Sequence, residues 1–470
     1  MRALKTSLVP DFTKNPKLLD QFGQSGPYYT SYPTHGNWSN ELNHADYVES
    51  LKGYFSNNSS APIHLYVHVP FCAKLCFYCI CNILVTNNRE RMQHFVDYLC
   101  REIDLLSAMF AEISIRPNIK EIHLGGGTPS HLEDSQFEQV VNKLAGLADL
   151  KKLDEFAMEI DPRTTSKENL KFFHSLGINR ISFGVQDFDP DVQEVINRVQ
   201  PFEMVEELLS PDIRESFDGL NFDLLYGLPR QTRKTLEKTV GLVKKLAPER
   251  ITLLKYAHAP ELRKHMALID SKMLPAAEEL PLMFHDAVQS LTTDGYTWVG
   301  IDHFAKPSDD LAQAAKEKRG WRNFGGFTTG KTRDLIGIGP TATSIVGDAY
   351  FQNAYEIKDY YKAIDEGQFV IQHGYKMDSD DVLRRDVIFR IICDSSLDYK
   401  QIESKFDISF KEYFSQELAA LTRFEQDGIL DFDGESFSLT PTGRFFGRHV
   451  AKVFDRFLQK AGGVYTISGP

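Results

Sequence analysis

Residues 63–82 read IHLYVHVPFCAKLCFYCICN. Ile63, Leu65, Val67 and Val69 alternate with His64, Tyr66 and His68, the period of a strand with one apolar face. The strand runs directly into Cys72, Cys76, Cys79 and Cys81, which places the cysteines on a loop at its C-terminal end. Beyond the loop, Phe95, Leu99, Ile103, Leu106 and Phe110 recur at helical spacing and predict a long amphipathic helix. The same strand-loop-helix pattern repeats along the chain. Strands are expected near 119–125, 155–160, 180–185, 219–226 and 250–257, alternating with helices near 134–149, 166–176, 191–209 and 232–246. Such alternation implies right-handed crossovers and a parallel sheet of six strands, open or curled into a partial barrel. In either form ligands collect at the strands' C-terminal ends.

The conspicuous polar and glycine-rich motifs lie at those ends: the cysteines, Gly125-Gly126-Gly127-Thr128-Pro129, Glu159, Gln186, Asp223 and Ala257-His258. Thiolates are soft ligands suited to zinc or to an iron-sulfur cluster, and spacing decides between them. A structural zinc site usually draws on two separated pairs of ligands, whereas here all the cysteines share one short loop. Cys72, Cys76 and Cys79, spaced Cys-x-x-x-Cys-x-x-Cys, can hold three irons of a [4Fe-4S] cluster and leave the fourth open. The amino and carboxylate groups of S-adenosylmethionine can chelate an open iron. An electron from the cluster then breaks the carbon–sulfur bond to give methionine and a 5′-deoxyadenosyl radical. The glycines of 125–127 are read either as a tight strand-to-helix turn or, facing the cysteine loop, as a clamp for the methionine moiety. Glu159 can accept bonds from ribose hydroxyls or an ammonium. Gln186, Arg198 and Asp223 offer amide, guanidinium and carboxylate groups at the same mouth.

The 470 residues exceed one ordinary domain, and a 42% hydrophobic, 25% charged composition is that of a globular chain. A net charge of −12 lowers the expectation of nucleic-acid binding, since phosphate backbones are repelled on average. No apolar run reaches membrane-spanning length and the leading residues Met1 to Lys5 open no signal-like segment, so a cytoplasmic chain without stable membrane insertion is expected. Four of the six cysteines fall within ten positions, the distribution of a metal site; Cys100 and Cys393 read as small core residues. After a polar break at 306–333 and Gly337-Ile-Gly339, a helical region is expected to end the chain. Helical periodicity at 382–393 and 410–426 followed by Asp433-Gly434 between apolar runs suggests a mostly helical, winged-helix-like C-terminal domain. Its hairpin carries Asp431, Asp433 and Glu435, which favours a structural or lid role over DNA binding. The expected division is an arm over 1–55, a catalytic barrel with its extension over 56–350 and the C-terminal domain over 375–470.

At these residues the chain resembles the oxygen-independent coproporphyrinogen III oxidases of the radical S-adenosylmethionine superfamily. The blocks that carry the resemblance run from Ser25 to Thr34 (SGPYYTSYPT), Tyr66 to Cys72, Cys79 to Asn82, Gly125 to Pro129, Gly184 to Phe188, Ile196 to Arg198, Asp223 to Pro229, Tyr256 to His258, Asp302 to Ala305 and Arg384 to Asp386. The resemblance implies a partial (β/α)6 barrel and oxidative decarboxylation of two propionates of coproporphyrinogen III to vinyl groups, giving protoporphyrinogen IX for haem. Two S-adenosylmethionine molecules are implied. Tyr66, Gly126, Glu159 and Thr343 are the implied contacts of the cluster-bound molecule, and Tyr78, Gly127, Thr128, Gln186, Arg198, Asp223 and Ala257 those of the second. Cys81 is implied as an additional catalytic cysteine beside the cluster rather than a ligand. Tyr29 and Tyr32 are expected to line or close the substrate cavity, because aromatic rings suit a flat macrocycle. The implied partners are the porphyrinogen and an electron donor such as flavodoxin or ferredoxin, acting on a monomer. Ile80 stands where the family usually has Gly, so a positive φ or a close ligand approach there would be strained. Tyr28 stands where it usually has Arg. A haem-binding chaperone is the rival from another class, or another radical enzyme of the superfamily; the N-terminal block and the second Cys-x-Cys cysteine favour the oxidase.

Overall fold

The computed structural model describes residues 10, 12, 15, 17–19 and 26–460. Ser25 of the N-terminal block, Met1 to Lys5 and residues 461–470 of the C-terminal region lie outside the described residues. The six expected strands form as β1 (Pro62–Val69), β2 (Asn118–Gly126), β3 (Glu155–Ile160), β4 (Arg180–Gln186), β5 (Gly219–Tyr226) and β6 (Arg250–Lys255). They are adjacent in chain order and all parallel. Beyond β6 lie β7 (Thr297–Gly300) and β8 (His303–Ala305), and before β1 lie β9 (Asp334–Ile338), β10 (Thr343–Val346), β11 (Ala349–Asn353) and β12 (Ile371–Lys376). The resulting sheet of twelve strands runs β12-β11-β10-β9-β1-β2-β3-β4-β5-β6-β8-β7. β9 joins β1 as a further parallel strand, with Gly337 opposite Tyr66, and β10 to β12 continue antiparallel.

Two expectations are corrected. The region after Gly339 does not turn helical at once, because β10, β11 and β12 come first; all residues of β10 and β11 are buried, so neither shows alternation. The helix expected over 191–209 is split into Pro190–Val195 and Phe202–Leu208. Asn197 at φ 54° ends the first piece, and Pro201 precedes the second. The break carries Asn197 and Arg198 toward the cysteine loop.

The helices pack outside the sheet. Helix Arg89–Glu112 is capped by Asn88 and buries Phe95, Leu99, Ile103, Leu106 and Phe110, the five positions that its periodicity singled out. The outward residues of the strands join this main core. Alternation turns the other strand residues into the barrel, and there they are polar. His64 and Glu121, Glu155 with Arg180 and Arg250, Tyr66 with His123, Ser182 with Asp223, and Asn221 with Thr252 meet across it.

A second core joins the described N-terminal residues to the C-terminal region. Phe12, Leu18, Tyr29 and Tyr32 pack there with residues of helix Ser379–Asp394 and with Phe410, Phe414, Val450 and Phe454. Strands Leu430–Phe432 and Ser436–Leu439 form the expected hairpin around Gly434, and Ser396–Asp398 adds a third strand. Cys100 and Cys393 are buried, one in each core.

Candidate active site at the mouth of the barrel

The cysteine loop is closed at its base. Phe71–Cys72 pairs with Leu84–Val85, Leu84 N donates to the Pro70 carbonyl at 2.7 Å, and Thr86 N donates to that of Cys72 at 3.1 Å. Loops from the other strands hold it from above. Phe77 N donates to the Ile196 carbonyl at 3.0 Å, and Asn197 Nδ2 to that of Leu75 at 2.7 Å. After β6, Arg263 Nε donates to the Ile80 carbonyl and His265 Nε2 to the Cys79 carbonyl, both at 2.7 Å. Ile80 has no positive φ, so the strain that a side chain would suffer in the left-handed region does not arise.

Burial first of all pushes the Cys72 thiol up to about 12, and Cys79 and Cys76 lie close enough to disfavour its thiolate further. Cys79 is raised too, mainly by its hydrogen bond with Cys81 and then by burial. Arg163 Nη2 and Arg198 Nη1 lie 3.3 and 3.5 Å from Cys76 Sγ. Both arginines also bind Asp161, whose carboxyl they hold below its usual range although burial opposes this. Among the described residues no three His, Cys, Asp or Glu side chains gather closely enough for one ion. Three thiols on one loop, that of Cys76 buried and those of Cys72 and Cys79 half-buried, with cations beside Cys76, fit a [4Fe-4S] cluster, whose ligands stand further apart than those of a single metal.

Gly126, Gly127 and Thr128 form the wall beside the loop. Gly127 N donates to the Val69 carbonyl and Thr128 N to that of Phe71, both at 2.8 Å, and Thr128 Oγ1 lies 3.5 Å from Cys72 Sγ. A Cβ on Gly127 would meet the Phe71 carbonyl at 2.7 Å, so only glycine allows this approach. Gly126, at φ 108°, donates its N–H to Glu159 Oε2 at 3.2 Å. Glu159 Oε1 is 3.3 Å from His123 Nε2, and the His123 ring stacks on Tyr66 at 6.0 Å. Burial works against a charged His123, but the Glu159 carboxylate outweighs it and raises its pKa. Tyr66 Oη donates to His68 Nδ1 at 3.1 Å, and His68 Nε2 donates to the Asn82 carbonyl at 3.1 Å. That pattern makes His68 neutral, in keeping with the lowering of its pKa by burial.

Tyr66, Gly126 and Glu159 are thus brought together. Thr343 is buried on β10 against Gly337, which is opposite Tyr66, and lies two strands away. Of the second group, Tyr78 is half-buried beside Arg198, Cys76 and Cys79, and loss of solvent raises its pKa. Arg198 donates to the Gly184 carbonyl through Nε and Nη2 at 3.1 and 2.6 Å. Gln186 ends β4 at φ 65°, and Asp223 accepts from Ser182 Oγ at 2.7 Å and Asn221 Nδ2 at 2.9 Å. Ala257 sits between Tyr256 and His258, whose side chains bond at 2.9 Å. Asp161, Arg163, His123, Arg263 and His265 were not singled out from sequence. Inward alternation on β2 could have found His123; the others meet the loop from distant segments and left no local signal.

Tyr29 and Tyr32 are the residues expected to line or close the substrate cavity. Both are 0% exposed in the second core. Tyr29 Oη donates to Asp455 Oδ2 at 3.0 Å, and Tyr32 Oη accepts from Arg456 N at 3.3 Å. Their rings pin the N-terminal segment to the C-terminal region.

The chain matches the model of the Radical SAM superfamily over residues 66–243 and that of the HemN C-terminal domain over residues 377–446. It is 36% identical over 458 residues to the oxygen-independent coproporphyrinogen III oxidase of Synechocystis, covering 97% of both chains. To the enzyme of that name from Helicobacter pylori it is 37% identical, with 96% of this chain and 97% of the relative aligned. The solved coproporphyrinogen III oxidase (HemN) of Escherichia coli, described as a radical SAM enzyme, superposes with a TM-score of 0.86 at 36% identity, over 92% of this chain and 98% of that one. Near-complete coverage, together with a cysteine loop seated at the mouth of a parallel barrel, establishes the relationship: the chain belongs to the oxygen-independent coproporphyrinogen III oxidases of the radical SAM superfamily.

Proposed function

We propose that this chain converts two propionate side chains of coproporphyrinogen III to vinyl groups without dioxygen, giving protoporphyrinogen IX in haem biosynthesis. The observation that carries the reading is the meeting of Cys72, Cys76 and Cys79 with the Gly126–Glu159–Tyr66 wall at one end of the barrel. Held there by Cys72, Cys76 and Cys79, a [4Fe-4S] cluster with S-adenosylmethionine would supply the radical chemistry that an oxidative decarboxylation of the propionates requires.

The chain's own part is to hold and to exclude. The three thiols would bind the cluster, and Arg163 and Arg198 offset negative charge at Cys76. Gly126 and the Glu159 carboxylate that its N–H holds are proposed to bind the first S-adenosylmethionine, Glu159 as an acceptor, and Tyr66 gives it a ring surface; Thr343 is its more remote support. Tyr78, Gly127, Thr128, Gln186, Arg198, Asp223 and Ala257 are proposed for the second molecule, around the same mouth. Cys81, within hydrogen-bonding reach of Cys79, is proposed as a thiol that serves the reaction without holding iron. No helix among the described residues is long and apolar enough to cross a membrane. We place the enzyme in the cytoplasm as a monomer supplied with electrons by a flavodoxin or ferredoxin, and divide it into an arm over 1–55, a barrel with its extension over 56–350 and a C-terminal domain over 375–470.

Anaerobic reconstitution with iron and sulfide, followed by coproporphyrinogen III, S-adenosylmethionine and dithionite, tests this. Vinyl porphyrin and 5′-deoxyadenosine should appear together; haem retention without turnover would overturn it. Ser at position 72, 76 or 79 should abolish both the cluster absorbance and turnover. Cys81→Ser should keep the iron and lose turnover.

A further inference from the structure

The buried face of helix Arg89–Glu112 carries one charged residue. Among Phe95, Leu99, Ile103, Leu106 and Phe110 stands Glu102, 2% exposed. It has no cationic partner among the described residues, and three donors occupy its oxygens instead. Oε2 accepts from Gly339 N at 2.7 Å and from Tyr360 Oη at 2.8 Å, and Oε1 accepts from Asn353 Nδ2 at 2.9 Å. Burial outweighs all three bonds and raises the Glu102 carboxyl up to about 7. A carboxylate placed in a core without a counter-ion costs stability. A residue that breaks an apolar pattern at such a cost points to function.

Two of the donors belong to segments that frame the proposed pocket of the first S-adenosylmethionine. Gly339 opens the turn from β9 to β10, which leads to Thr343. At φ 97° it rests on the His68 carbonyl, since a Cβ there would lie 2.6 Å from that oxygen. Two residues earlier, Gly337 is opposite Tyr66 and packs as closely on the Thr343 carbonyl. Asn353, at the end of β11, braces the same turn. Its Nδ2 also donates to the Gly339 carbonyl at 2.8 Å, and its N–H donates to that of Ala342 at 2.9 Å. His68 in turn binds Tyr66 Oη and the Asn82 carbonyl, and Asn82 Nδ2 donates to the Tyr355 carbonyl at 3.0 Å, two residues beyond Asn353. One carboxylate thus grips the turn that carries Thr343 and the strand end beside which the cysteine loop is anchored.

We propose that Glu102 is a positioning residue: it fixes the turn at 339–343 against His68 and so sets Thr343 and Tyr66 for the first S-adenosylmethionine. The inference rests on the S-adenosylmethionine reading above and adds to it a residue that touches no ligand. Alanine at this position would leave Gly339 N, Asn353 Nδ2 and Tyr360 Oη without their shared acceptor inside the core, and unpaired buried donors are costly enough to move the segments that bear them. Glutamine keeps the shape and one acceptor oxygen, which can serve Gly339 N and Tyr360 Oη while its amide meets Asn353. Its effect is therefore the smaller of the two.

Equilibrium binding and backbone exchange test this apart from turnover. S-adenosylmethionine is titrated calorimetrically into the anaerobic, unreduced holoprotein. Glu102→Ala should weaken binding about tenfold and Glu102→Gln about threefold, the size of one or two lost hydrogen bonds, with iron content as in the parent. Amide exchange should quicken over residues 337–343 and stay as in the parent over β2 and β3. When cleavage of S-adenosylmethionine is followed with dithionite, KM should rise in the same order while kcat stays within about twofold of the parent. A lower melting temperature with unchanged affinity and unchanged exchange at the turn would make Glu102 a packing residue and overturn the proposal. If Glu102→Ala does not fold, Asn353→Ala is measured in the same way, and an unchanged affinity there overturns it equally. A parent protein that binds and cleaves S-adenosylmethionine but forms no vinyl product would instead remove the proposed reaction and leave the positioning role standing.

Discussion

At the scale of single residues, His123 is the group whose role is most open to measurement. It touches Glu159 at 3.3 Å and stacks on Tyr66, and so positions two of the proposed S-adenosylmethionine contacts without a proposed contact of its own. Because the folded-state pKa of His123 is raised, its pairing with Glu159 contributes fully below the ordinary histidine value and is lost as pH rises through the raised one. His123→Ala should therefore raise the KM for S-adenosylmethionine several-fold with the cluster intact. It should also remove the part of the KM profile that rises above the ordinary histidine value, and His123→Gln should restore part of the affinity. Gly127 gives a second prediction. Alanine there would press a Cβ against the Phe71 carbonyl and Pro70, which are backbone atoms that cannot swing aside. Gly127→Ala should cost about 1–3 kcal/mol in stability, read from denaturant unfolding, and should displace Thr128 from Cys72.

At the scale of elements, the barrel holds together through a polar interior. Glu155 on β3 receives Arg180 on β4 and Arg250 on β6, both at 2.9 Å, while Asp309 binds the same two arginines from the far side. Burial alone would raise the Glu155 pKa, yet Arg250 and Arg180 bring it down to about 2. A depressed carboxyl stabilises the fold above its unfolded value near 4.5 and loses that contribution as pH falls toward 2. Glu155→Gln should cost about 2–3 kcal/mol at neutral pH and flatten the acid limb of the stability profile over that interval, measured by urea unfolding against pH. The six parallel strands were legible because outward apolar and inward polar residues alternate along them, as in 63–69. β10 and β11 were not, because they bury every residue and so carry no period. The same distinction holds for the site. Cysteines, glycines and Glu159 announce themselves at the ends of strands, whereas Arg163, Arg263 and His265 act through contacts between loops far apart in the chain.

At the scale of the whole molecule, the N-terminal segment and the C-terminal region share one core and cannot be altered independently. Tyr32 is the clearest probe. Its ring is fully buried against Phe457, with centroids 5.9 Å apart, its N–H donates to Tyr350 Oη on β11 at 3.3 Å, and its hydroxyl accepts from Arg456 N. One residue thus joins the N-terminal segment, the sheet extension and the last described helix. Removing so large a buried ring should cost about 3–5 kcal/mol. The loss should not fall evenly, since the cysteine loop is held by β1, β4 and β6 loops that do not include Tyr32. Tyr32→Ala should therefore keep its cluster absorbance while amide exchange quickens in Ser379–Asp394 and in the turns around Phe454, the elements that close over the outer face of β6. Equal quickening in β1 and β2 would show that the barrel depends on this core as well, and that deleting residues 1–35 would compromise cluster assembly along with turnover.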